Sequence, residues 1–231
     1  KNASVGGTWF ENRYPGARVD VSNHLYSYSF EPAYHWSEFF ARQPELQAYF
    51  EGVASQHELL PNFRFNTEVT RASFDAARHC WTVDTVNSDG VREQYTADSV
   101  ISAVGQLNRP RLPDIPGIES FGGQWCHSAD WDDSIDCLGK RVLVVGSGAS
   151  AFQLVPAIAG EVRKLTVFQR SAPWMFENPI YHYKVPEGKQ WCLRHLPFYT
   201  RWFRFLIFWP ACDGAYDTVF VDPQWPQQQR S

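Results

Sequence analysis

The sequence predicts an α/β fold, and two patterns carry that prediction. Within residues 63–97, three short β-type segments alternate with turn residues, as in an antiparallel meander. Within residues 140–170, an apolar strand, a glycine loop, a helix and a second strand follow one another, as in a parallel βαβ unit. The 231 residues are 44% hydrophobic and 20% charged, so the chain can bury one large core or two modest ones.

The first part of the chain is predicted to contain a loop, a helix and the meander. Residues 6–20 hold four glycine or proline breaks and are predicted to form a loop. Pro44 suits the first turn of a helix, and apolar residues then recur at helical spacing, which predicts a helix from Gln43 to about residue 58. The three strands of the meander are predicted at residues 63–74, 80–86 and 91–97, with NSDG at 87–90 as a turn.

The remaining elements lead to the βαβ unit. Residues 99–105 (SVISAVG) are predicted to form a buried strand that ends at a glycine. Residues 108–123 hold three prolines and three glycines, which is typical of a connection between structural units. The βαβ unit is predicted as strand 140–145, loop 146–151, helix 152–159 and strand 164–170. Because this arrangement is half of a dinucleotide-binding fold, we expect the second part of the chain to bind a dinucleotide.

Charge, hydropathy and cysteine content exclude several classes of protein. The net charge is −4 and the 21 Lys and Arg residues form no basic run, so nucleic acid is not an expected partner. The most apolar stretch, FLIFWPAC at 205–212, is far shorter than the roughly 20 residues that span a membrane. Five cysteines without a C-x-x-C pair predict reduced thiols in a cytoplasmic protein.

The glycine loop has the residue types that a pyrophosphate site needs. Gly146 allows a tight turn, Gly148 lets backbone amides approach the ligand, and Ala151 is small enough for close packing of helix on strand. The pyrophosphate would bind at the positive end of the helix, where unpaired N–H groups point outward. The alternative is an ordinary tight turn.

The residues after the second strand of the βαβ unit indicate which dinucleotide binds. An NAD site has Asp or Glu about 20 residues beyond the glycines, to hold the ribose 2′-hydroxyl. This chain has Gln169, Arg170 and Ser171 at that point. A guanidinium and a hydroxyl can both bind a 2′-phosphate, so NADP is predicted rather than NAD. The alternative is that Arg170 is a solvated surface charge.

The segment FGGQWCHSADWD, residues 121–132, has residue types that could form a metal site, a thiol active site or a packed joint. Cys126 and His127 are adjacent and match no zinc spacing, and neighbouring side chains seldom form a catalytic pair. A packed joint is therefore predicted, with His127 as a polar latch across it and three aromatic anchors, Phe121, Trp125 and Trp131. A purely structural linker is the alternative.

The same segment resembles a family fingerprint. The pattern F-x-G-x-x-x-H-x-x-x-W-D, formed by Phe121, Gly123, His127, Trp131 and Asp132, is similar at every fixed position to that of flavin-dependent Baeyer–Villiger monooxygenases. The resemblance extends over nearly the whole chain. Residues 6–9 and 12–20 are similar to the segment that follows the FAD ribose-binding strand in this family. Residues 146–153 and 168–171 are similar to its NADP site. Residues 185–188, 201–209 and 221–226 resemble the 4-hydroxyacetophenone monooxygenase branch.

The resemblance implies roles for individual residues. Those that fall where the family contacts FAD are Gly7, Thr8, Trp9, Asp20, Tyr26 and, through a backbone group near the adenine, Val69. Those that fall where it holds NADP are Gly146, Ser147, Gly148, Ala149, Ser150, Ala151, Gln153, Arg170 and Ser171, with Arg18 and Asp20 near the nicotinamide. The implied catalytic residues are His127 and Asp20, the latter by orienting the family's active-site arginine. Taken alone, Asp20 is a loop aspartate that caps a turn.

The resemblance also implies a domain organisation. It predicts two Rossmann-like dinucleotide-binding domains, the first of which contains the three-stranded meander. A partial FAD-binding domain is expected over residues 1–108, a linker with the fingerprint over 109–138, and a partial NADP-binding domain over 139–231. The family's first glycine loop would lie before Lys1 and its active-site arginine after Ser231, so both domains are expected to be incomplete.

The implied activity requires FAD and NADP as cofactors, with a ketone and O2 as substrates. NADPH would reduce the flavin, and the reduced flavin would react with O2 to convert the ketone into an ester or lactone. Two alternatives remain open. One is an N- or S-oxygenating flavin monooxygenase, against which the complete fingerprint argues, and the other is a non-catalytic piece that binds NADP.

Overall fold

A computed structural model gives the fold and describes residues 1–33, 35–173, 175 and 177–216. The chain forms two compact units, the first comprising Lys1–Ala17 and Leu46–Ala172 and the second comprising Arg18–Glu45 and the residues from Pro173 onward. The meander and the βαβ unit both fall in the first of these units, and the predicted domain boundaries at residues 108 and 138 stay predictions. The cofactor assignment of each predicted domain stays a prediction.

The elements follow the order expected of the α/β class. Their bounds are α1 Thr8–Glu11, α2 Gln43–Gln56, β1 Thr67–Asp75, β2 Cys80–Asn87, β3 Arg92–Ala97, β4 Arg141–Val145, α3 Ala149–Ile158, β5 Lys164–Phe168, α4 Glu187–His195 and α5 Tyr199–Tyr216. The predictions of a helix at 43–58, a meander and a strand–helix–strand unit are confirmed. Helix α3 begins three residues earlier than predicted, since the small residues of the glycine loop already form its first turn.

The meander is antiparallel throughout. In the β1–β2 pair, Thr67 lies opposite Asn87, and the register shifts at a bulge between Val69 and Arg71. In the β2–β3 pair, Trp81 lies opposite Ala97. The Asn87 side-chain oxygen accepts hydrogen bonds from the backbone N–H of Asp89 at 3.0 Å and of Val91 at 2.8 Å, which explains why NSDG forms the predicted turn.

The βαβ unit is parallel, as predicted. Strands β4 and β5 pair in register from Arg141 opposite Lys164 to Val145 opposite Phe168, with α3 as the connection. A buried cluster joins this helix to the N-terminal loop, and it consists of Tyr14, Ala17, Leu154 and Ile158, with Trp131, Val142, Val162 and Leu165 packed around them. The core of the first unit therefore joins residues from the N-terminal loop, the fingerprint and the βαβ unit.

Two predictions about secondary structure are wrong. Residues 99–105 form no strand, and Ile101 and Val104 are 91% and 68% exposed. A strand needs a neighbour for its backbone hydrogen bonds, and no described strand pairs with this segment. Within the predicted loop 6–20, Thr8–Glu11 form one helical turn, because the glycines precede this turn instead of interrupting it.

The second unit is organised around buried polar groups. The side chain of Asn23 is fully buried, donates to the backbone oxygen of Glu38 and accepts from the N–H of Ala41, both at 2.5 Å. The Arg204 guanidinium donates to the backbone oxygens of His24 at 2.6 Å and Ser27 at 3.1 Å. These bonds attach α5 to the segment around His24 and satisfy backbone groups that would be costly to bury unpaired.

His24 is buried in this unit as a neutral ring. It is 3% exposed, neither ring nitrogen has a hydrogen-bond partner in the described part of the chain, and its ring centroid lies 5.0 Å from that of Phe203. Burial, and then the positive charges of Lys189 and Arg204, lower the pKa of His24 from 6.5 to about 4. Protonation in the folded state is therefore unfavourable.

We expect the free energy of unfolding to fall as pH drops from 6.5 towards 4. In that window the unfolded chain binds a proton at His24 that the folded chain rejects, so acid favours unfolding by up to about 3 kcal/mol. Urea unfolding at pH 7, 5.5 and 4.5 measures the slope. His24→Phe should flatten it, whereas the exposed His35→Phe should not, and an unchanged slope in His24→Phe would contradict the assignment.

The described residues contain three further features that bear on the predicted classes. No helix in this part of the chain is long and apolar enough to cross a membrane. The five cysteines are unpaired, with Cys212 exposed and the other four half-buried. No group of three or more His, Cys, Asp or Glu side chains in the described ranges is arranged to hold a metal ion. The motif at 221–226 lies outside the described residues.

Candidate functional site

The β4–α3 loop lies at the carboxyl ends of two parallel strands. Gly146 follows β4 with a φ of +114°, a conformation that side chains disfavour, so glycine is required there. Its backbone N–H donates to the carbonyl oxygen of Phe168 at 2.9 Å, which places the loop beside the end of β5. Ligands of open α/β sheets bind at this edge.

The first turn of α3 has the features of an anion site. Gly148 is the N-cap residue and has no side chain to occupy the free N–H groups, and no acidic residue lies in the first turn. A Cβ added at Gly148 would meet nothing within 4 Å, so open space lies beside the helix terminus. Unpaired N–H groups and the helix dipole together favour a phosphate at this position.

The residues after β5 complete the candidate site. The hydroxyl of Ser147 donates to the carbonyl oxygen of Ser171 at 3.4 Å, which ties the glycine loop to the segment that holds Arg170. Arg170 and Ser171 are both exposed, and no carboxylate stands at residues 169–171. The structure thus brings together Gly146–Ala151 with residues 170–171. Their binding of a 2′-phosphate stays a prediction.

The N-terminal loop packs against helix α3. The Tyr14 hydroxyl donates to Oε1 of Gln153 at 2.8 Å. Gly16 approaches the helix so closely that a Cβ there would lie 2.5 Å from the carbonyl oxygen of Gln153. Sequence reasoning missed Tyr14, because nothing in a glycine- and proline-rich loop indicates which distant helix the loop contacts.

The fingerprint is only partly a packed joint. Trp131 packs against the core around α3, as predicted. The prediction is wrong for Phe121 and Trp125, which are 60% and 52% exposed. The Phe121 ring instead lies over Gly123, where an added Cβ would be 2.7 Å from the ring carbons, which explains the F-x-G spacing. Apolar character alone could not tell which of these aromatic residues reaches the core.

His127 caps its own turn. Its Nδ1 accepts from the backbone N–H of Ala129 at 3.1 Å, and its carbonyl oxygen accepts from the N–H of Asp130 at 2.8 Å. Asp132 makes the equivalent side-chain bond to the N–H of Ser134 at 2.9 Å. Since Nδ1 accepts a hydrogen bond, the neutral ring carries its proton on Nε2. The predicted hydrogen bond of His127 across the joint would have to come from Nε2, and it stays a prediction.

We expect His127→Ala to lower the free energy of unfolding by about 1 kcal/mol, because the N–H of Ala129 loses its acceptor. His127→Asn should restore most of that loss, since an Asn oxygen can accept an N–H two residues further along. Thermal unfolding of both variants measures the difference. If the Asn variant is no more stable than the Ala variant, the turn does not depend on this hydrogen bond.

The residues implied in FAD binding are divided between the two units. Gly7, Thr8, Trp9 and Val69 lie in the first unit, where Trp9 is buried and Val69 is 59% exposed. Asp20 and Tyr26 lie in the second unit, and both are exposed. Their contacts with FAD stay predictions.

Arg18, in the second unit, is buried in a network of its own. Its guanidinium is paired with the Glu38 carboxylate at 2.5 Å, and it donates to Nδ1 of His182 at 2.7 Å and to the carbonyl oxygen of Tyr181 at 3.0 Å. The guanidinium carbon also lies 5.1 Å from the centroid of the Tyr181 ring. This network positions Arg18 by local contacts. A contact with the nicotinamide stays a prediction.

Comparisons with known proteins identify the family. The profile of the flavin-binding monooxygenase-like family matches residues 14–187. A Baeyer–Villiger monooxygenase of Streptomyces coelicolor is 46% identical over 172 residues, which are 74% of this chain and 32% of that protein.

The solved structures that resemble the chain include two that contain NADP. Cyclohexanone monooxygenase from Rhodococcus sp. Phi1, bound to NADP+, gives a TM-score of 0.75 at 36% identity over 83% of this chain and 36% of that one. OTEMO in complex with FAD and NADP gives 0.69 at 40% identity over 75% of this chain and 34% of that one.

These likenesses confirm the predicted α/β class with Rossmann-like units. The chain spans about one third of the length of these relatives. Because the family profile covers residues 14–187, well over half of the sequence, the chain belongs to the flavin-binding monooxygenase-like family.

Proposed function

We propose that the protein is a Baeyer–Villiger monooxygenase that uses NADPH and O2 to convert ketones into esters or lactones. The observation that carries the proposal is the complete fingerprint in residues 121–132, which precedes β4 in the sequence and whose Trp131 packs against the buried cluster that includes Leu154 and Ile158 of α3. Relatives named for this reaction or for cyclohexanone oxidation support it. N- or S-oxygenation fits the family equally but does not account for the fingerprint.

The residues of the first unit fit NADP. We propose that the N–H groups at the start of α3 hold the pyrophosphate, with the space beside Gly148 left for it. Arg170 and Ser171 are exposed beside this loop and would hold the 2′-phosphate as hydrogen-bond donors. The NADP complexes of the structural relatives support this assignment.

FAD is proposed as the second cofactor. Gly7, Thr8, Trp9, Tyr26 and Val69 would contact it, and the FAD complex of a structural relative supports this. When bound, FAD supplies the oxygen-transfer chemistry and NADPH supplies the hydride. Asp20, an exposed carboxylate, would orient an arginine at the reacting centre.

We also propose the domain assignment and location. Residues 1–108 would contribute to the FAD-binding domain, 109–138 would link the domains, and 139–231 would contribute to the NADP-binding domain. The unpaired cysteines support a cytoplasmic protein.

The test is product analysis with the whole protein. FAD-loaded enzyme, NADPH and O2 are incubated separately with a cyclic ketone, a tertiary amine and a thioether, and the products are identified by mass spectrometry. The proposal expects a lactone from the ketone with one NADPH consumed per product. N- or S-oxides without any lactone would overturn it and assign the protein to the alternative chemistry.

The role proposed for His127 has its own test in the same assay. His127→Asn preserves the turn cap but lacks the Nε2 donor, so it should fold normally and retain FAD while turnover falls. Unchanged turnover in this variant would mean that His127 acts only by capping its turn.

A further inference from the structure

The contact between Tyr14 and Gln153 links the N-terminal loop to the helix of the dinucleotide loop. Tyr14 is 8% exposed, and its ring shares the buried cluster with Leu154 and Ile158. Its hydroxyl donates to Oε1 of Gln153 at 2.8 Å, across 139 residues of sequence. A buried phenol hydroxyl needs such a hydrogen-bond partner. A phenylalanine ring could fill the same apolar space without one.

The position of Gln153 on α3 gives this bond a consequence at the site. Gln153 stands four residues after Ala149, so both lie on the same face of the helix, about one turn apart. The first turn has no side-chain cap, because its N-cap residue is Gly148. The Tyr14–Gln153 hydrogen bond therefore anchors the helix one turn after the N–H groups that would face a pyrophosphate.

The direction of the hydrogen bond also fixes the Gln153 amide. With Oε1 accepting from the phenol, the amide nitrogen points the other way and can only donate. A donor suits a phosphate-binding helix, and a carboxylate at the same position would repel the ligand.

We propose that Tyr14 is a positioning residue for NADP, which acts through Gln153 to hold the first turn of α3 in its phosphate-binding orientation. The inference rests on the proposed function, because it presupposes NADP at this loop. It assigns part of the cofactor site to a residue that does not itself belong to the strand–loop–helix unit. The effect should appear in cofactor affinity and not in the chemical step.

The test compares Tyr14→Phe and Gln153→Met with wild type in the whole protein. Tyr14→Phe removes the donor of this hydrogen bond and Gln153→Met removes its acceptor, and each new side chain has nearly the volume of the one it replaces. Calorimetric titration with NADP+ should show a Kd raised about fivefold in each, and Tyr14→Phe, which replaces a residue outside the dinucleotide loop, should keep its kcat at saturating NADPH. The double variant should be no weaker than the worse single variant, since both act through one bond. Tyr49→Phe, which alters another buried tyrosine on α2, is the matched control and should bind normally.

The outcomes separate this inference from the function on which it rests. Wild type that fails to bind NADP+ overturns the proposed cofactor and the inference with it. Normal binding by wild type and by Tyr14→Phe overturns the inference alone. Additive losses in the double variant, or a fall in kcat at unchanged Kd, would also overturn it, because Tyr14 would then not act through Gln153. Gln153→Glu should bind NADP+ more weakly than Gln153→Met.

Discussion

Gly16→Ala is expected to lower the free energy of unfolding by about 3 kcal/mol. Gly16 has a φ of +83°, which costs an L-residue about 1–2 kcal/mol. The added methyl group would also lie 2.5 Å from the carbonyl oxygen of Gln153 and 2.9 Å from Cβ of Ala157. Neither atom can rotate away, because both are fixed to the backbone of α3. The loop must therefore lift from the helix.

Gly90→Ala is the matched control. Gly90 has a similar φ of +78°, but a Cβ there would meet nothing within 4 Å. Its replacement should cost only the backbone strain, about 1 kcal/mol. Urea unfolding of the two variants separates the cost of backbone strain from the cost of the steric clash between the added Cβ and α3. Equal losses would show that the close approach of the loop to α3 is absent in solution.

Arg170→Ala is expected to weaken NADPH binding by roughly 10- to 100-fold while leaving NADH binding nearly unchanged. A guanidinium bound to a phosphate contributes about 1.5–3 kcal/mol, and NADH has no 2′-phosphate to receive it. Arg170 is exposed after the end of β5, beside the Ser147–Ser171 contact. The measurement is the Kd of each dinucleotide in the whole protein.

Arg163→Ala is the control for a simple change of charge. Arg163 is also exposed but precedes β5, at the opposite end of that strand. Its replacement should leave both affinities unchanged at a salt concentration that screens long-range charge. Equal losses of NADPH and NADH affinity in Arg170→Ala would contradict the 2′-phosphate assignment.

The local sequence pattern was sufficient to predict the strands and the helix that surround the candidate site. β4 and β5 are short apolar runs separated by a helical segment, and such periodicity is a local property of the chain. The glycines at 146 and 148 have the local conformations of a tight turn and a helix N-cap. These features do not depend on distant partners, so they could be predicted.

Contacts between distant segments could not be predicted in the same way. Residues 99–105 have the composition of a buried strand, yet burial depends on a neighbour that composition does not specify. The fingerprint spacing likewise did not show that Trp131 reaches the core while Trp125 remains exposed. The approach of Gly16 to α3 depends on atoms more than a hundred residues away.

The structure gives the fingerprint and the N-terminal loop a shared physical role. Tyr14 belongs to the buried cluster that includes Leu154 and Ile158 of α3, Trp131 packs against the same cluster, and Gly16 allows the loop to approach the helix backbone. A helix held from behind in this way keeps its N-terminal amides in one orientation, which lowers the cost of ordering a bound ligand. We therefore expect the first turn of α3 to bind the pyrophosphate of NADP.

Titration of the 15N-labelled protein with NADP+, followed by amide NMR, detects ligand binding at this helix terminus residue by residue. We expect the amide signals of Ala149, Ser150 and Ala151 to shift together and saturate with one Kd, and the Nε signal of Arg170 to move with them. NAD+ should shift the three amides at higher concentration and leave the Arg170 signal in place. Saturable shifts confined to other parts of the chain, with these three amides unmoved, would contradict it.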